Sequence, residues 1–365
     1  MKTKKLLKVI IASMLVLGLI LAGCQQPAAD PPAQGNGVTD PVDPTPGDNG
    51  DEPVVIGVVM IDLVNQFFVD MMTGGNMAAE DYGVELIWLS ADGSMETMVA
   101  HMENLIQQNV DVILVNPIES EGLVSVITQA SEAGIPTVTM AGFVDVPTNW
   151  TTVFNDLENN RHIAAAVAHD IGYEGTVALL YGNTGNLVSD LRQQGFMETM
   201  ALHPNITVIQ QPMNWDPVQG LEVAQNILAA NPDLAALHCV SDAVTLAAFQ
   251  AVRASGREGE IIVTSYDGNP DANLAVANGE FLLTTLTGST KTGYWNVHVG
   301  VQLARGYRPA EQILNMPTHF VMTQENIDRF RAAGLFEGQS IVTPEEANRL
   351  HGAFREELFD PSLVR

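Results

Sequence analysis

Basic side chains are scarce in this chain, with 16 lysines and arginines against 43 aspartates and glutamates and a formal charge of −27. Four of the lysines, Lys2, Lys4, Lys5 and Lys8, crowd the first residues, so without them the charge is about −31 (−27 − 4). A field of that sign repels nucleic acid and anionic headgroups, so no nucleic-acid partner is expected. Catalytic signatures are missing as well. There is no G-x-S-x-G elbow, no H-E-x-x-H and no glycine loop ending in Lys-Ser/Thr. Gly74-Gly75 lies inside a helix-like segment, out of context for phosphate. The eight histidines are scattered, and His162 and His169, at i, i+7, lack a further ligand at metal spacing. An enzyme is therefore not expected, nor any cofactor or metal.

One long apolar run exists, at residues 9–21, behind the basic start. It is short for a membrane span and reads as a secretory signal occupying residues 1–23. It ends in Leu21-Ala22-Gly23-Cys24, which resembles the bacterial lipobox. That resemblance implies that Cys24 becomes the mature N-terminus and carries lipid. The protein would then be extracytoplasmic, anchored to the outer face of the cytoplasmic membrane or in the periplasm. A plain signal peptide or an uncleaved anchor helix is the blander reading. Cys239 is the only other cysteine, so no intramolecular disulfide is available once Cys24 is lipidated. It sits in the apolar run 234–240 and is expected as a buried small hydrophobe. Stability must come from the core, for which 365 residues with 46% hydrophobic content suffice. Residues 24–53, rich in Pro, Gly, Asp, Asn and Thr, cannot offset their ordering entropy and read as a disordered tether.

From residue 54, short β-branched runs alternate with amphipathic segments. Strands are expected at 54–60, 84–89, 112–115 and 137–140, with helices at 67–82, 95–108 and 122–133 between them. Met95, Met98, Met102, Leu105 and Ile106 fall at i, i+3, i+7, i+10 and i+11, one apolar helix face. The rhythm restarts with helix 159–171 and runs through strands 176–180, 207–210, 234–240, 261–265 and 281–286. Such alternation means a parallel sheet with helices on both faces. A helix at 291–305, a strand at 318–322 and a capping box at Thr343-Pro344-Glu345-Glu346 complete the chain.

Ligands of open α/β sheets bind beyond the carboxyl ends of the strands. There the sequence places Asn65-Gln66-Phe67-Phe68, Asn116-Pro117, Ala141-Gly142-Phe143, Met213-Asn214-Trp215-Asp216, Ser241-Asp242 and Tyr266-Asp267-Gly268. Aromatic rings beside amides and carboxylates suit a sugar, the rings covering its C–H faces and the polar groups its hydroxyls. Four of these segments in order resemble the ribose-binding-protein family of periplasmic binding proteins over residues 54–322. They are Asn65-Gln66-Phe67-Phe68, the apolar strand 113–117 ending in Asn-Pro, Gln211-Pro212-Met213-Asn214-Trp215-Asp216, and Tyr266-Asp267-Gly268-Asn269-Pro270.

The resemblance implies an α/β fold of two similar doubly wound parallel-sheet lobes joined by three crossover hinge strands. Residues 54–154 plus 288–319 would form the N-terminal lobe and 155–287 plus 320–342 the C-terminal lobe, with 343–365 a helical tail. Hinges are expected near 154–156, 286–288 and 320–322. By the same resemblance Asn65 and Asn116 bind hydroxyls, Phe67 or Phe68 and Trp215 sandwich the ring, and Asp267 accepts hydrogen bonds. The chain departs from the family's ribose binders where they carry an Asp-Arg pair, here Ala141-Gly142, and a ligand arginine, here Asp190. Ser241 replaces an asparagine and Thr287 a glutamine, while the structural arginine is kept as Arg192. The expected ligand site is thus Asn65, Phe67, Phe68, Asn116, Ala141, Asp190, Trp215, Ser241, Asp267 and Thr287. Fewer charges and more space argue against ribose itself.

The expected partners are a sugar, polyol or similar small molecule, an ABC permease and, through lipid, the membrane, for a monomer. A sensory receptor of the same fold, or a clamp for autoinducer-2, a nucleoside or a small amide, stands as the alternative. Plainer roles stand beside each residue. One of Phe67 and Phe68 can be core, Trp215 a surface anchor, Asp267 and Asn116 turn residues, and Asp190 a helix-dipole partner.

Overall fold

The computed structural model describes residues 53–351. The signal, Cys24 and the tether up to residue 52, like the tail from 352 onward, lie outside the described residues. The elements follow the sequence rhythm closely. The first group is β1 (Val55–Met60), α1 (Gln66–Tyr82), β2 (Glu85–Ser90), α2 (Met95–Gln108), β3 (Val112–Val115), α3 (Val124–Glu132), β4 (Thr137–Thr139) and β5 (Asn149–Val153). The second is α4 (Asp156–Asp170), β6 (Gly175–Tyr181), α5 (Leu187–Met200), β7 (Ile206–Pro212), α6 (Pro217–Ala230), β8 (Leu234–Cys239), α7 (Asp242–Ala254), β9 (Ile262–Thr264) and α8 (Pro270–Ala277). Then come β10 (Thr284–Leu286), α9 (Ser289–Ala304), β11 (Ile313–Asn315), β12 (His319–Val321), α10 (Gln324–Ala332), β13 (Ile341–Val342) and α11 (Pro344–His351).

Local chemistry sets the boundaries. Asn65 and Ser94 cap α1 and α2 with side-chain oxygens, while Gly83 and Asn109 end them in the left-handed region. β3 is buried along its whole length because helices cover both faces of its sheet. Six parallel strands in the order β11-β5-β4-β3-β1-β2 make the first sheet. Four more, β7-β6-β8-β9, make the second. Bridges at Thr264–Leu283 and Asp267–Leu286 carry this sheet on to β10, which pairs antiparallel with β12. The chain passes between the two bodies after β5, after β10 and between β11 and β12. The hinge expected at 320–322 overlaps β12, whose Phe320 already packs in the second body's core, so the third passage lies just before it.

Some features were not legible in the sequence. β5 and β11 escaped because β5 is held by a buried polar ladder rather than an apolar run. Thr137 Oγ1 donates to Asn149 Oδ1 at 2.9 Å, and the Thr139 and Thr151 hydroxyls meet. Gly74 is where α1 touches α9. A Cβ there would stand 1.8 Å from the Thr290 carbonyl, and one at Gly293 1.8 Å from that of Met71. Only glycine admits such backbone contact. The Thr343 capping box forms, with the Thr343 N–H donating to Glu346 Oε2 at 2.9 Å. Its helix, α11, straps both bodies. Asn273 Nδ2 of α8 donates to Asn348 Oδ1 at 2.9 Å, and His351 Nε2 lies 3.2 Å from Asp70 of α1.

Candidate functional site

The carboxyl ends of the strands of both sheets face one cleft, lined by side chains of both bodies. On the first body, the Asp62 carboxylate accepts from the Val64 and Asn65 N–H groups at 2.8 and 2.7 Å and pins the loop after β1. Asn65 Oδ1 accepts from the Phe67 N–H at 3.0 Å, so its amide nitrogen is the group left to serve the cleft. Phe67 and Phe68 follow, edge to face at 5.6 Å and each half-buried. Asn116 ends β3, buried, donating through Nδ2 to the Met140 carbonyl at 2.7 Å. Its Oδ1 is buried with no hydrogen-bond partner among the described residues. An orphan acceptor of this kind costs about 1–3 kcal/mol, which a ligand hydroxyl would recover. Ala141 sits at φ 49°, its N–H donating to Thr152 Oγ1, with Phe154 packed beside it.

The second body supplies Trp215, Ser241 and Asp267. Asn214 and Trp215 are both left-handed, at φ 49° and 61°, a costly arrangement for residues of this size. The strain aims the indole, which lies flat on Gly182. A Cβ at Gly182 would stand 2.3 Å from Trp215 Cε2, so Gly182→Ala is expected to displace the ring, readable as a shift in tryptophan emission. Asp267, at φ 123°, is clamped to the strand that leads to the second passage. Its N–H donates to the Thr285 carbonyl at 2.9 Å, and its own carbonyl accepts from the Thr287 N–H and hydroxyl at 3.0 and 3.2 Å.

Arg192 of α5 stands at the back of the cleft, almost fully buried. Its Nε donates to Asp156 Oδ1 at 2.8 Å, and its Nη1 to the Val240 carbonyl at 2.7 Å and to Asp267 Oδ1 at 3.3 Å. The guanidinium stacks 3.8 Å over the Tyr266 ring. Burial pulls its pKa down, but the charges of Asp156 and Asp267 outweigh that and hold it raised. Burial pushes Asp267 up to about 6, against the pull of Arg192. Burial and the adjacent Asp267 charge push Asp242 up to about 8.

Eight of the ten expected residues line the cleft: Asn65, Phe67, Phe68, Asn116, Ala141, Trp215, Ser241 and Asp267. The other two do not. Asp190 turns back to accept from the Gly185 N–H at 3.4 Å, and Thr287 is spent on the Asp267 carbonyl. The cleft also takes in Arg192, Asn186 and Phe154, which were not expected as lining. Arg192 carried a signal, as the single cation of α5. No group of metal-ligating side chains occurs among the described residues. Ser289, His351 and Asp70 do meet, but the hydroxyl and the carboxylate both approach His351 Nε2, at 3.3 and 3.2 Å. A nucleophile-activating histidine needs its carboxylate on the other ring nitrogen, so this trio fastens α11 instead.

Two parallel α/β bodies joined by three passages, with aromatic and amide side chains converging between them, define a clamp-type solute-binding protein. Residues 56–308 match the periplasmic binding protein domain family, and the chain belongs to it. It is 26% identical to the ribose import binding protein of Escherichia coli, over 69% of this chain and 85% of that one. It is 30% identical to that of Bacillus subtilis, over 63% and 74%. Among solved structures it is similar to an ABC transporter periplasmic solute binding protein from Actinobacillus succinogenes with bound D-allose. The identity is 26%, the TM-score 0.70, and the match covers 76% of this chain and 100% of that one. A solute binding protein from Bacillus halodurans with bound myo-inositol matches with 26% identity and a TM-score of 0.70, over 78% and 99%.

Proposed function

We propose that the protein is an extracytoplasmic, Cys24-lipidated receptor that closes on an uncharged sugar or polyol and delivers it to an ABC importer. The observation that carries this is the convergence, in one cleft, of the strained Trp215 and the Phe67–Phe68 pair with the orphan Asn116 Oδ1 and the Asp267 carboxylate. The relatives support it, since those with bound D-allose and bound myo-inositol share the fold throughout. In this reading the rings cover the C–H faces, Asn65 donates to a ring hydroxyl, and Asn116 and Asp267 accept from others. Ala141 leaves the first-body wall without a charged side chain, so a charged solute finds no counter-ion there. Closure about the three passages presents the surface that a permease reads.

The test is thermal unfolding against pentoses, hexoses, polyols, nucleosides and amino acids. A ligand at 1,000 times its dissociation constant stabilises by about 4 kcal/mol. A response confined to nucleosides or amino acids would overturn the sugar reading, and silence across the whole panel would overturn the transport reading. With the ligand in hand, Trp215→Ala is expected to cost roughly 1.5–3 kcal/mol of affinity in calorimetric titration. A loss below about 0.5 kcal/mol would take the ring out of the contact surface.

A further inference from the structure

We infer that Asn186 is a latch between the two bodies, biasing the cleft toward closure through contacts of the protein's own. Asn186 caps α5 in the second body, where its Oδ1 accepts from the Ser189 N–H at 3.0 Å. Its Nδ2 reaches across to the first body and donates to the carbonyls of Ile118 at 3.0 Å and Pro117 at 3.3 Å, in the loop after β3. The residue is only 6% exposed. One amide thus has its oxygen committed to its own helix and its nitrogen committed to the opposite lobe, and both groups are satisfied only when the lobes meet. The acceptors are held in place as well. Pro117 packs so closely on Gly142 that a Cβ there would stand 2.6 Å from Pro117 Cγ.

Hinge opening by a few ångströms breaks both bonds at once. Two such bonds shift the ratio of closed to open by about tenfold or more. A contact that exists only in the closed form raises its population before the solute arrives, and so raises apparent affinity through that equilibrium. Closing the cleft is the working motion only of a binding clamp, and the latch rests on that reading.

The test is the distance between the lobes measured by pulsed electron spin resonance on the ligand-free chain. Spin labels go on Val124→Cys of α3 and Val218→Cys of α6, both exposed, in a Cys24→Ser background. Cys239 stays unlabelled because its thiol is fully buried and burial pushes its pKa up to about 12. The unaltered latch is expected to give a populated short-distance component. Asn186→Asp keeps a helix-capping oxygen but turns a second oxygen on two carbonyls, and Asn186→Ser caps the helix but cannot reach across. Both are expected to lower the ratio of the short to the long component about tenfold. A parent without that component, or either variant retaining it, overturns the latch. Loss in Asn186→Asp alone would show repulsion rather than a broken latch, and would overturn it too. No ligand enters this measurement, so it succeeds or fails apart from the thermal panel.

Discussion

Replacing Arg192 by methionine is expected to cost about 3–5 kcal/mol of folding stability and to abolish ligand binding in the same variant. The stability loss follows from what the guanidinium leaves behind. Asp156, Asp242 and Asp267 are all buried, and Arg192 is the cation that bonds two of them. Methionine fills most of the volume but supplies no donor, so Asp156 Oδ1 and the Val240 carbonyl lose their partners together. The binding loss follows from position. Asp267 is aimed into the cleft by its left-handed backbone and by Arg192 Nη1, and Arg192 stacks on Tyr266 one residue before it. Urea unfolding reads the first effect and titration the second. Arg192→Lys keeps the charge without the fork that joins Asp156, Val240 and Asp267. It should recover part of the stability and little of the binding. Equal midpoints for the parent and Arg192→Met would mean that the carboxyls are already neutral without the arginine.

Arg192 also marks how far the sequence could be read. The alternation of strands and helices is a consequence of burial on both sheet faces, and it is visible residue by residue in β3 and α2. The cleft was visible because it sits at strand ends, where Asn116, Trp215 and Asp267 interrupt the pattern. Other features have no periodic signature. β5 is a strand because threonine and asparagine satisfy one another within the first body, and its β-propensity alone competes with its polarity. Asp190 and Asn186 stand four residues apart at one helix start, and only the geometry tells which one faces the other lobe. Asp190 closes a local turn, whereas Asn186 has its oxygen taken by the helix and its nitrogen free to cross. Thr287 resembled a ligand contact, yet it acts at one remove by holding Asp267 at φ 123°.

Stability is expected to fall by about 2 kcal/mol between pH 6.5 and 8, at about 1.4 kcal/mol per unit for one proton. The falling limb belongs to Asp242. Its neighbours settle its protonation by hydrogen count. The Thr245 hydroxyl donates to the Ser241 carbonyl at 2.7 Å, so it can only accept from Ser265, whose Oγ lies 2.7 Å away. Ser265 has one proton, and that proton is spent. The close contact between Ser265 Oγ and Asp242 Oδ1 therefore needs the proton on the carboxyl. Thr284 Oγ1 at 2.8 Å and the Asn269 N–H at 2.7 Å complete the site as donors to its remaining lone pairs. Burial and the adjacent Asp267 push this carboxyl from 3.8 up to about 8. A carboxyl raised in the folded state contributes stability that is fully present below its unfolded value and is lost as pH rises toward the folded one. Below pH 6.5 buried histidines act in the other direction. Burial pulls His238 down to about 3 and His298 to about 4, so the unfolded chain takes up protons there first and their share of stability is lost as pH falls, against the gain from the raised Asp242 and Asp267. Asp242→Asn removes the titrating proton and should flatten the profile between pH 6.5 and 8, and it should make stability fall more steeply below 6.5, where Asp242 no longer opposes the histidines. A parent profile already flat across that interval would put a charge on Asp242 and require Ser265 to donate to it instead.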